Sequence, residues 1–234
     1  MRRVAVAAAV ATLATLVLAA APATAGTSAD QQLARAGVLR SSDFPAEWKQ
    51  TKRASESHDP VPQRAAAIAN CKPFARFIAD NRKHPHARSP AFDLQQSSVS
   101  NTVSVYPTTA QATSSLGRFR DARVPKCLDQ VFTAVLRAQL LKDKNVAKRL
   151  GSVTTDVALE TGVRIGDDVV VYQGTTDVRL KNGTAQTIGL GFVAVRVGTA
   201  LAGYSYTSDT DISAALQPAI ISSVARLQQA APSG

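Results

Sequence analysis

VVVYQGTTDVRLKNGTAQTIGLGFVAVRVGTALAGYSYT, running from Val169 to Thr207, is the stretch that decides the fold. Val169 to Leu180, Ala185 to Val197 and Leu201 to Thr207 read as three strands, rich in β-branched and aromatic residues. Asn182-Gly183 lies between the first two and predicts a two-residue hairpin turn, because both central positions of a type I′ turn need positive φ. Arg196-Val197-Gly198-Thr199 predicts a second tight turn. Links this short force antiparallel neighbours, since a parallel pair needs a long crossover. Val153 to Glu160 adds a strand ahead of them.

Downstream, a closing helix is predicted over Asp211 to Gln229. Ile212, Leu216, Ile220, Val224 and Leu227 form its inner face, and Pro218 either kinks it or marks where it restarts. Upstream, Leu128, Val131, Phe132, Val135, Leu136 and Leu140 make the clearest helical stripe in the chain, entered through Pro125 at a first-turn position. A helix over Thr109 to Ala122 precedes it, capped by Thr108 or Thr109. Phe92 to Tyr106 is extended, and Asn101 leaves open whether it is one long strand or a hairpin. A helix over Ala65 to Asn81 carries Ile68, Cys71, Phe74, Phe77 and Ile78, with Pro73 starting a new turn or kinking it. The first helix runs from Gln31 to Arg40, and Trp48 anchors the segment after it against the core. The order of helices, strand, helices, strands and closing helix predicts an α+β fold, a twisted antiparallel sheet with helices packed on one face.

The N-terminus reads as a leader. Arg2 and Arg3 precede an apolar run from Val4 to Ala20, and Ala23-Thr24-Ala25 supplies a small-x-small cleavage pattern. Residues 1–25 are predicted to be a signal peptide and residues 26–234 a single domain; the alternative is a retained anchor. No later segment is apolar enough to span a bilayer, so a secreted or envelope location outside the cytoplasmic membrane is expected. In that oxidising compartment Cys71 and Cys127, the only two cysteines, are expected to pair. Two buried free thiols are the alternative. The full chain carries a net charge of +10, and removal of Arg2 and Arg3 leaves it basic. That charge favours an anionic envelope polymer or lipid headgroup over nucleic acid in this location, unless it serves solubility alone.

Motifs for known chemistry are missing: there is no G-x-S-x-G elbow, S-x-x-K, H-E-x-x-H or phosphate-binding glycine loop. His84-Pro85-His86, with Asp80 or His58, is too sparse for a metal centre. The better candidate is the basic knot of Arg82, Lys83, His84, His86 and Arg88, read as an exposed, extended connection. It either docks phosphates and carboxylates by charge-assisted hydrogen bonds or is a solvated loop. Asp167-Asp168 and the pair Asp209 and Asp211 are the carboxylates one would nominate for acid–base work; the first reads as a turn and the second as a helix cap. No cofactor is expected.

Ser42-Asp43-Phe44-Pro45-Ala46-Glu47-Trp48, Val103-Ser104-Val105-Tyr106-Pro107 with Cys127 beyond, and Val195-Arg196-Val197-Gly198 together give the mature chain its resemblance to the PknH-like extracellular, sensor-type domains of secreted actinobacterial proteins. The resemblance implies an α+β fold with a ligand cleft, no catalysis, and a structural role for the cysteines. The function expected on these grounds is an exported, non-catalytic binding or sensor-like module for an envelope component or partner protein. A hydrolase of envelope polymer or lipid with an unrecognised site is the first alternative, and a structural or chaperone-like envelope protein the second.

Overall fold

The computed structural model describes residues 28–52 and 60–231; the leader expected over residues 1–25 and His58 lie outside them. Seven α-helices are described: α1 (Ser28–Ala36), α2 (Pro60–Ala67), α3 (Lys72–Asn81), α4 (Thr109–Phe119), α5 (Val124–Leu140), α6 (Lys144–Arg149) and α7 (Ser213–Ala230). Eight strands form one sheet: β1 (Lys49–Thr51), β2 (His86–Arg88), β3 (Ala91–Leu94), β4 (Ser97–Val105), β5 (Leu150–Glu160), β6 (Asp168–Leu180), β7 (Ala185–Val197) and β8 (Ala200–Ser208). The strand order is β1-β3-β4-β8-β7-β6-β5, with β2 on β4, and every pairing is antiparallel. No helix among the described residues is long and apolar enough to cross a membrane.

The α+β class, the antiparallel sheet and the single Cys71–Cys127 disulfide agree with the sequence reading. The placement of the helices does not, because they cover both faces rather than one. On β7, Ile188, Leu190, Phe192 and Ala194 join a core with α2, α3, α4 and α5. The intervening Val193, Val195 and Val197 join a second core with α1, Phe44, Trp48 and α7. The cause is in the sequence: Phe192 to Val197 is apolar at both parities except for Arg196. A strand of that composition buries both faces and needs cover on each. Strict alternation would have left one face wet.

Local differences follow similar rules. Phe92 to Tyr106 resolves into the β3–β4 hairpin, turning through Gln95 at φ 54°. Asn101 is neither turn nor bulge. It sits inside β4 at 1% exposure, accepts from the Leu39 N–H (2.9 Å) and donates to the Gly37 carbonyl (2.8 Å). The chain after α1 is thereby fixed to the sheet. Gly183 alone takes positive φ (86°) in the β6–β7 loop. The Gly183 N–H donates to the Leu180 carbonyl (3.0 Å) and the Leu180 N–H to the Thr184 carbonyl (2.8 Å). The loop therefore has three residues, a turn closed by a glycine bulge, in place of the expected two-residue turn. Pro73 and Pro125 both occupy the first turn of a helix, where the missing N–H costs nothing. α7 runs continuously through the exposed Pro218, with all five of its expected inner residues buried.

Candidate ligand-binding cleft

A cleft of about 580 Å³ opens between the N-terminal half of α7, strands β6 to β8 and the β5–β6 connection over residues 161–167. Its roof is Leu216 and Ile220 of α7 with Ile212 just before the helix. Leu216 and Ile220 are the exposed-end members of the helix's apolar stripe, and Val224 and Leu227 continue it into the core. Its wall is Val163 and Ile165, and Val171 and Val193 lie at its inner end. The lining is mixed, an apolar set of valines, isoleucines and leucines with polar residues among them, as an amphipathic ligand would need.

The floor is open because of β7. Residues 189, 191 and 193 point to this face, and the first two are glycines. A Cβ at Gly189 would meet only the Ser208 carbonyl oxygen, at 3.3 Å, so any longer side chain there would project into the cleft. A Cβ at Gly191 would run into the ring of Tyr206, its cross-strand partner. Tyr206 therefore lies over the bare backbone of Gly191 and forms part of the floor. Glycine in a strand interior commonly marks such a close approach of another group.

Tyr206 supplies the central polar group. Burial pushes its phenol above the ordinary value, and the Glu160 and Asp211 carboxylates push it further, so it stays a neutral donor and acceptor at physiological pH. Gln173, Thr175 and Gln217 add neutral polar groups at the edges. Ser208 also lines the cleft, but its hydroxyl is committed to Ser97 Oγ (2.6 Å) and the Thr210 carbonyl (2.6 Å). No histidine lines the cleft among the described residues. Beyond the 161–167 connection a second apolar groove continues along α7, lined by Ile221, Val224 and Ala225.

The connection that walls the cleft is pinned by the carboxylates considered for acid–base work. Asp167 Oδ2 accepts from the Gly198 N–H (2.7 Å) and from Arg196 Nη1 (3.0 Å). Asp168 Oδ1 accepts from Arg120 Nη2 (2.5 Å) and its own neighbour's N–H, Val169 (2.9 Å). The Arg120 guanidinium holds the Asp168 carboxyl below its usual range, so it is an anchor rather than a proton donor. Asp211 stands one residue before the N-cap position, which Ile212 occupies, and accepts the Ser213 N–H (2.9 Å), which lowers its pKa.

The basic knot lies elsewhere and is not the exposed connection expected. His86–Arg88 forms β2 and pairs with β4, and only Lys83 of the five nominated residues is exposed. Lys83 reaches Asp80 at 3.5 Å, and Asp80 also pairs with Arg118. The His84 ring packs on Tyr106 with centroids 4.2 Å apart. Burial, then the Lys83 charge, lowers its pKa and favours the neutral imidazole. His86 Nδ1 lies 2.9 Å from the His84 carbonyl oxygen. Arg82 and Arg88 are half-buried. Proline spacing suggested exposure, but β4 offered a free edge and the segment took it. Trp48 is where the sequence placed it, buried beside Phe44 (centroids 5.1 Å), which stacks on Phe92 (4.7 Å).

Sequence reasoning missed Gly189, Gly191 and Tyr206. The available signal was the pair Gly189 and Gly191 flanking Leu190, where a buried strand would otherwise carry large residues.

No protein-family model matches the chain, and no curated protein matches it. Among solved structures, the extracellular domain of PknH from Mycobacterium tuberculosis is similar at 12% identity and a TM-score of 0.40, covering 85% of this chain and 96% of that one. A likeness of that degree transfers no ligand, partner or activity to this chain.

Proposed function

We propose that the chain is an exported, non-catalytic binding module that receives a small apolar or amphipathic envelope molecule in the cleft beneath α7. The cleft floor left open by Gly189 is the observation that carries the reading. A concave space of this size with a half-buried tyrosine on its floor has the form of a small-molecule site. Export rests on the leader-like residues before Gly26 and is supported by the disulfide. The non-catalytic reading is supported by the committed Ser208 hydroxyl and by carboxylates engaged with arginines and backbone N–H groups.

Octanol is a suitable neutral probe, since burial of its chain is worth roughly 0.8 kcal/mol per CH₂ before the costs of association. Saturable heat is expected on titrating octanol into the oxidised mature protein. Gly189→Leu should abolish that heat by filling the floor, at a cost of a few degrees in Tm, because its Cβ comes within 3.3 Å of the Ser208 carbonyl oxygen and the neighbouring strand must give slightly. Retention of octanol binding by a folded Gly189→Leu protein would remove the cleft from the account.

A further inference from the structure

The charged groups at the cleft have the opposite sign to the chain as a whole. Among the described residues, Glu160 and Asp211 are the only charged ones that line it, and both are acidic. No described lysine or arginine lines it. Arg164, the nearest basic residue along the wall, lines the second groove instead. The positive end of the α7 macrodipole would ordinarily attract an anion. Here the Asp211 carboxylate already occupies it through the Ser213 N–H (2.9 Å). Tyr206, the polar centre of the floor, shares the cleft with both carboxylates; burial first, and then their charges, raise its phenol.

Resting on the binding reading above, we propose that the cleft selects amphiphiles with a cationic head, of the alkylammonium class, and discriminates against carboxylate or phosphate heads. The apolar chain lies between Leu216, Ile220 and Val193, and the ammonium group sits at the mouth between Glu160 and Asp211, within reach of the Tyr206 oxygen. An ammonium donates hydrogen bonds and accepts none, which suits two carboxylates and a phenol oxygen. Both carboxylates are exposed, so the preference is modest and salt-dependent. The net charge of +10 predicts the reverse preference, for anions, and the two expectations separate cleanly in one experiment.

The test is calorimetric titration of the oxidised mature protein at pH 7 with octylamine, octanol and octanoate, at low and physiological ionic strength. Octylamine is expected to bind about tenfold more tightly than octanoate at low ionic strength, with octanol between them, and the spread should narrow as salt is added. Glu160→Gln/Asp211→Asn should bring the three affinities within about twofold of one another. Gly189→Leu should remove the discrimination together with the binding. Octanoate binding as tightly as octylamine, or a preference that survives the double substitution, would overturn the charge assignment and leave the cleft intact as a binding site. Failure of octanol itself to bind would overturn the underlying reading.

Discussion

Replacing Arg226 by alanine is expected to destabilise the protein by about 3–5 kcal/mol, the cost of leaving a buried carboxylate without its partner. Arg226 on α7 donates to both oxygens of Asp43, at 2.7 and 2.8 Å, and to the carbonyls of Ala36 (3.1 Å) and Val38 (2.9 Å). The Asp43 side chain is 3% exposed. Its remaining partner is the Arg40 N–H at 2.8 Å, too little to hold a carboxylate out of water. The four donations tie the segment after α1 to the closing helix, and that helix is the roof of the cleft. Arg226→Lys should rescue poorly, because an ammonium cannot match the planar fork. Urea denaturation should show the loss, with a fall in Tm of about 10 °C for a chain of this size. In Asp43→Ala/Arg226→Ala the combined cost should be less than the sum of the single costs. A single-variant loss below about 1 kcal/mol would mean that the pair behaves as an ordinary surface bridge.

Cys71→Ser/Cys127→Ser, or reduction of the wild type, should cost about 4 kcal/mol in the chain-entropy account for a sequence separation of 56. The bond joins the turn before α3 to the first turn of α5, and both cysteines are fully buried in the core on the α2–α5 face. The cleft is on the other face, against the core of α1 and α7. The effect should therefore be on stability and not on recognition. Below its melting temperature the double-serine variant should bind octanol with wild-type affinity. Thermal melts with and without reductant measure the first effect, and titration of the variant measures the second. A variant that is stable but no longer binds would place the disulfide in control of the site.

Much of the architecture is legible from residue type because strong local signals agree with the packing. The stripe from Leu128 to Leu140 and the inner face of the last helix are buried as their spacing demands. Strands at Ala185–Val197 and Asp168–Leu180 fall within a residue of where β-branched density places them. The two-sided packing was equally present in Phe192-Val193-Ala194-Val195, but a run apolar at both parities looks like a strong strand before it looks like a doubly covered one. The site was harder. Its defining feature is missing side chains, at Gly189 and Gly191, and a glycine in a strand reads as a weak spot until the cross-strand partner is known. That partner, Tyr206, lies in a different strand, and its register depends on the β7–β8 turn. The basic knot misled for a related reason. Charge and proline are visible in sequence, whereas the free edge of β4 that draws His86–Arg88 into the sheet is not.

The central claim, that the space beneath α7 is the binding site, is tested most directly by amide chemical-shift mapping of the oxidised mature protein during titration with octanol. The account predicts saturable perturbations centred on Gly189, Val193, Tyr206, Ser208 and Leu216, absent from Gly189→Leu. Perturbations confined to the segment from Arg82 to Arg88, or none on the cleft-lining residues, would contradict it.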